Sequence, residues 1–109
     1  MAAPRMTLPT QLVLHALLTD ADREQYGAEL GAAAGLPSGT IHPILARLET
    51  LGWVESDWED VDPSAAARPR RRYYRISEDG MAAARLALAR AHQTRTKLVS
   101  RPWAVGDTS

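Results

Sequence analysis

The spacing of apolar residues changes period at Gly52. Before it, Ile41, Ile44, Leu45, Leu48 and Leu51 recur at intervals of three and four, the signature of one helix face. After it, "WVESDWE" alternates, with Trp53, Glu55, Asp57 and Glu59 on one side and Val54, Ser56 and Trp58 on the other. "RRRYYRIS" alternates again, with Arg71, Tyr73 and Arg75 opposite Arg72, Tyr74 and Ile76. A chain of 109 residues has room for one modest core. The two alternating stretches are therefore expected to pair as a hairpin and share that core with the helices. Val54, Trp58, Tyr74 and Ile76 would face inward, while Glu55, Asp57 and Glu59 would meet Arg71 and Arg75 across the strands.

The segment "PTQLVLHALLT", residues 9–19, reads as a first helix, capped by Thr7 and started by Pro9. "DADREQ" is a polar link. "YGAELGAAAG" is a second, short helix that stops at Gly35 as a left-handed cap. The third helix runs to about Leu51, "DVDPSAAARP" is a loop, and Ser77 caps a last helix reaching about Lys97. The expected fold is mainly α with a small β-hairpin, a winged helix-turn-helix in the order α-α-α-β-β-α. The expected division is a winged-helix domain at 7–77, a C-terminal dimerisation helix at 78–98, and a loose tail at 99–109, except near Trp103.

Composition removes several function classes. Apolar residues make up 45% of the chain and cysteine is absent, so disulfides, thiolate metal sites and cysteine nucleophiles are excluded. His15, His42 and His92 are too scattered for a metal site, and no acid, base and nucleophile assemble, so neither enzyme activity nor cofactor nor metal is expected. Trp53 and Trp58 read as core rather than as a ligand cage. "MAAPRMTLPTQ" lacks the apolar stretch of a signal peptide and no run reaches membrane-spanning length, so a cytoplasmic, non-membrane setting is expected. Twelve of the thirteen basic residues are arginine, which with the abundant alanine hints at a bacterial, GC-rich gene. The formal charge is zero overall but splits into minus six up to Asp60 and plus six beyond it. The run "RPRRRYYR" lies in the positive part and points to an anionic partner.

The third helix carries an anomaly. Pro43 lies about one turn inside it, lacks an amide hydrogen and crowds the carbonyl of Gly39, at a cost of roughly 3 kcal/mol in a helix interior. In a helix-turn-helix this end of the second motif helix enters the major groove. Small and polar Ser38, Gly39, Thr40 and His42 would then let backbone approach bases and phosphates. On these residues alone, a plain cap with a tolerated proline explains the stretch equally well. Likewise the arginine run is either a wing gripping phosphate or minor groove, or a solvated strand face balanced by its acids. Both hold if Arg68 and Arg70 are free at the loop while Arg71 and Arg75 pair locally.

Several pieces then agree in order: Tyr26-Gly27 with Glu29, Gly39-Thr40 followed by Pro43, Leu45, Arg47-Leu48-Glu49, Gly52, Trp58, Arg68-Pro69, Tyr73-Tyr74-Arg75 and Gly80. Over roughly residues 9–80 the chain resembles the PadR family of bacterial transcriptional regulators. The resemblance implies a winged-helix repressor that dimerises through its C-terminal helix and binds an inverted repeat in double-stranded DNA. Some relatives respond to phenolic or other aromatic compounds, so a small aromatic effector is a further expected partner. The chain departs from the family in having His42 where a tyrosine is usual, and in a short C-terminal part that fits members with a single dimerisation helix. The candidate DNA-binding residues are Tyr26, Ser38, Gly39, Thr40, His42, Pro43, Arg47, Arg68, Arg70 and Arg72. The candidate dimerisation residues are Met81, Ala84, Leu86, Leu88 and Ala91. The rival readings are a winged-helix module that binds protein and a sensor whose specificity is chiefly for an aromatic ligand.

Overall fold

The computed structural model describes residues 3–99. Helix α1 spans Leu8–Thr19 and α2 spans Gly27–Ala34, with the two-residue strand β1, Gln25–Tyr26, between them. Helix α3 spans Ser38–Thr50, strand β2 Val54–Trp58, the one-turn helix α4 Pro63–Ala66, strand β3 Arg72–Ile76 and helix α5 Glu78–Val99. Thr7 caps α1, its hydroxyl accepting from the Thr10 amide at 3.4 Å. Gly35 ends α2 in the left-handed region at φ 70°, where a side chain would be strained. The α2–α3 pair with its three-residue turn is the helix-turn-helix.

The sheet is antiparallel with order β1-β3-β2. The hairpin register pairs Val54 with Ile76, Glu55 with Arg75 and Trp58 with Arg72. On the free edge of β3, Gln25 pairs with Tyr74 and Tyr26 with Tyr73. The expected hairpin is thus a three-stranded sheet. The link "DADREQ" supplies its third strand, which is too short to show a period of its own. The expected loop "DVDPSAAARP" holds α4, started by Pro63 and capped by the Asp62 carboxylate, which accepts from the Ser64 amide at 2.9 Å.

The core joins Val13, Leu14 and Leu17 of α1, Leu30 of α2, Ile41, Leu45 and Leu48 of α3, then Trp53, Val54, Tyr74, Ile76 and Ala84. Two expectations fail here. Trp58 is 54% exposed rather than buried, because the inward side of β2 runs past the end of the core. Its ring is covered instead by the Arg72 guanidinium, 5.0 Å from the ring centre. Ala84, expected at a dimer face, is 0% exposed within the single chain, so it belongs to this core. Met81 and Leu88 also pack against that core, and Leu86, at 53% exposed, does not. The expected loose tail, Trp103 included, lies outside the described residues.

A tight junction joins α3, the sheet and α5. The Ser77 amide donates to the Trp53 carbonyl at 2.9 Å, and the Ser77 hydroxyl donates to the Gly52 carbonyl at 2.9 Å. That same hydroxyl accepts from the Gly80 amide at 2.9 Å, the expected cap of α5. A Cβ on Gly80 would lie 2.1 Å from the Trp53 carbonyl oxygen, so only glycine lets α5 start this close.

Candidate nucleic-acid interface

Inward Ile41, Leu45 and Leu48 fix how α3 is turned, and so what it shows outward. Ser38, Gly39, His42, Pro43 and Arg47 are all exposed, and Thr40 is partly covered. Beyond its chain neighbours and the helix's own backbone, no described atom lies within 4 Å of where a Gly39 Cβ would be, so the absent side chain leaves an open surface. Pro43 is within the helix, so the Gly39 carbonyl has no partner four residues on. His42 leans back toward α2, its Cε1 3.0 Å from the position a Gly27 Cβ would take. Arg47 is exposed near the other end of the face.

The arginine run is arranged differently. Arg68 was expected to be free at the loop, yet its guanidinium forms an ion pair with Glu59. Glu59 lies just beyond β2 and is only 4% exposed. Its carboxylate also accepts from the Arg71 amide at 3.1 Å and from the Tyr26 hydroxyl at 3.0 Å. Those bonds, Arg68 first among them, hold it well below the usual carboxylate range, at about 2, against the cost of burial. A carboxylate can only accept, so the Tyr26 proton goes to Glu59. The 2.6 Å contact between the Tyr26 and Tyr73 oxygens is then donated by Tyr73. That bond and burial push the Tyr73 phenol up to about 12. The two rings stack with centres 4.3 Å apart.

Glu59 was expected on an exposed acidic face opposite Arg71 and Arg75, and it is instead the centre of a latch. Among the described residues the Arg71 side chain has no carboxylate within ion-pair distance, and its guanidinium lies 4.7 Å from the centre of the Tyr26 ring. Arg75 does meet Glu55 as expected, at 3.9 Å. Arg70 donates to the Val61 carbonyl at 2.9 Å. Arg72 donates to the Ser56 hydroxyl at 3.1 Å and lies 3.6 Å from Glu49 on α3. Tyr26, grouped at first with the α3 residues, is built into this latch. Its own amide donates to Glu29 at 2.9 Å and so also starts α2. The sequence marked Glu59 only as one of an alternating acidic series, and nothing in that series set it apart.

Arg70 and Arg71 are thus the wing arginines with no carboxylate within ion-pair distance among the described residues. From β2 through β3 the wing carries five acids and five arginines, so as a unit it is neutral. Among the described residues no helix is long and apolar enough to cross a membrane.

No curated protein matches the chain. Solved structures do. The PcaV transcriptional regulator from Streptomyces coelicolor, in complex with its natural ligand, superimposes with a TM-score of 0.69 at 21% identity. The match covers 92% of this chain and 65% of that one, so the chain spans just under two thirds of that regulator. A PadR family transcription regulator from Clostridium difficile R20291 gives a TM-score of 0.64 at 18% identity, covering 85% of this chain and 95% of that one. A PadR family transcriptional regulator from Eggerthella lenta gives 0.63 at 27% identity, covering 85% of each. The model of the transcriptional regulator PadR-like family matches residues 13–86, from α1 through the sheet and into α5, and the chain belongs to that family.

Proposed function

We propose that this regulator is a repressor that binds an inverted-repeat operator as a homodimer, with α3 in the major groove. The observation that carries the reading is the outer face of α3. Ser38, Gly39, His42, Pro43 and Arg47 are exposed there, and space is open at Gly39. A duplex can therefore approach the backbone itself. Thr40 borders that face. The wing flanks it, with Arg70 and Arg71 as the phosphate-facing charges, Arg72 tying the wing to α3, and Arg68 and Tyr26 holding it in place. Dimerisation uses the part of α5 the core leaves uncovered, Leu86 and Ala91, with the edges of Met81 and Leu88. The 7–77 portion reads DNA and the 78–98 helix pairs the subunits.

Selection of bound duplexes from a random pool tests this directly. The expected outcome is a two-fold symmetric consensus whose affinity falls steeply with salt. Replacing His42 with Ala should alter the selected consensus more than it alters binding to scrambled duplex, because base contacts specify and phosphate contacts position. An unchanged consensus removes His42 from the reading surface. Sedimentation of the full chain as a monomer at micromolar concentration removes the dimer.

A second reading, that a small aromatic effector controls the protein, is favoured by one cavity. It is a groove of about 450 Å³ between the N-terminal segment and α5, whose walls include Met6, Gln11, Ala87, Ala91 and Arg90. Apolar walls with few polar groups suit an aromatic ring carrying an anionic substituent.

A further inference from the structure

The segment ahead of α1 plays no part in the DNA contacts proposed above, yet it is firmly placed. Pro4 is buried and Met6 packs against the core. The Gln11 side-chain amide donates to the Met6 carbonyl at 2.8 Å, and Thr7 caps α1. These anchors carry the segment along the flank of α3. A cleft of about 190 Å³ lies between them, lined by Pro4, Arg5, Thr7, Pro43, Ile44 and Arg47.

Both arginines at this cleft are exposed, and among the described residues neither has a carboxylate within ion-pair distance. Arg23, Arg68, Arg72 and Arg75 each have one. Among the described residues Arg70, Arg71, Arg85, Arg90 and Arg95 also lack one, and what distinguishes Arg5 and Arg47 is that they share a cleft on the flank of α3. Two unpaired like charges on the walls of one small cleft repel, and an anion between them turns the repulsion into two attractions. Guanidinium groups also suit phosphate oxygens by shape, through paired N–H donors. The cleft adjoins Pro43 and Arg47, on the face of α3 assigned to the major groove, where phosphates of the groove wall must pass.

We infer that Arg5 and Arg47 together take a backbone phosphate of the bound duplex, which makes the N-terminal segment part of the DNA interface. The inference rests on the DNA-binding reading. Because the segment is anchored, Arg5 adds a contact without ordering a loose arm on binding.

The test is a salt titration of the full chain on a selected operator and a scrambled duplex, comparing wild type with Arg5→Ala, Arg5→Gln and Arg5→Lys. Loss of the charge in Arg5→Ala and Arg5→Gln should weaken both duplexes by one common factor. It should also reduce the slope of log affinity against log salt by about 0.9, one phosphate contact. Arg5→Lys should keep the slope, and thermal melts of all three variants should match wild type. A wild-type slope in Arg5→Ala and Arg5→Gln overturns the cleft and leaves the DNA-binding reading intact. A change in base preference instead of the common factor also overturns it. A wild-type chain that binds no duplex overturns both.

Discussion

Along the outer face of α3, from Ser38 to Arg47, no described side chain forms a hydrogen bond or ion pair with the rest of the protein. In the wing, by contrast, all five arginines have an internal partner: Glu59, the Val61 carbonyl, the Tyr26 ring, Ser56 with Glu49, and Glu55. One region is left open and small, and the other is rich in charge but satisfied. A count of arginines alone would assign the DNA grip to the wing. The partners show that much of this charge is used to hold the wing's shape, while the outer side chains of α3 are left exposed and without such bonds. Arginine density therefore measures binding potential only after the carboxylates and rings nearby have been subtracted.

The largest expected effect comes from breaking the junction between these regions. Gly80→Ala drives a methyl into the Trp53 carbonyl, where α3 hands over to β2. Backbone cannot yield as a side-chain tip can, so a loss of about 3 kcal/mol, the upper end for overpacking, is expected in urea unfolding. Stability equal to wild type would mean that α5 shifts freely and that the junction does not fix wing against helix.

Smaller, and specific to the wing, is the removal of the Glu59 charge. Glu59→Gln leaves Arg68 without its ion pair and should lower the melting temperature at neutral pH. The pH dependence separates this from simple repacking. The folded value of about 2 lies below the ordinary 4.5, so the latch contributes fully above about 4.5. Its contribution falls as pH drops toward 2. Wild type and Glu59→Gln should therefore differ most near neutrality and converge in acid. A constant difference from pH 7 to pH 2 would show that the charge of Glu59 is not what matters.

The finest comparison is within the arginine run. Arg71→Ala and Arg70→Ala should each lower the salt slope of DNA binding by about 0.9 and barely change stability. Arg68→Ala should do the reverse, destabilising the wing with the slope nearly intact. Arg75→Ala should change stability by about 0.2 kcal/mol and the slope not at all, because its pair with Glu55 is exposed and long. A large slope change in Arg68→Ala would show that the ion pair opens when DNA is bound.

The same latch shows where the sequence could be read and where it could not. Helices α1, α2, α3 and α5 and the hairpin follow from periods and caps that lie within a few residues of one another. Strand β1 does not, because two residues carry no period and Gln25 and Tyr26 become a strand only when β3 offers a free edge. Trp58 is exposed although alternation puts it on the inward side, because alternation gives a side of the strand and says nothing of how far the core extends. Glu59 is buried against expectation for a related reason. Its burial goes with partners distant in the chain, the Tyr26 hydroxyl, the Arg68 guanidinium and the Arg71 amide. By contrast α4 is local, set by the Asp62-Pro63 start, but a single turn amid Pro, Asp and small residues carries the same signals as a loop. On the candidate interface, Ser38, Gly39, His42, Pro43 and Arg47 are exposed on α3, and the helix period alone places Gly39, Pro43 and Arg47 opposite Ile41, Leu45 and Leu48. It could not divide the arginines, since that depends on which carboxylate each one reaches.

The self-paired wing has a kinetic consequence. An arginine side chain has about 2 kcal/mol of rotamer entropy to lose when it is immobilised. Arg68 and Arg72, held by Glu59 and by Glu49 with Ser56, surrender that freedom when the chain folds, long before any duplex arrives. A wing that is neutral as a unit also exerts little long-range pull on an approaching polyanion, so encounter is not accelerated by the wing's field. Once contact is made, however, few side chains of the wing remain to be ordered. In the binding mode proposed above, such an architecture favours discriminating between duplexes by how long each complex lasts, not by how quickly it forms.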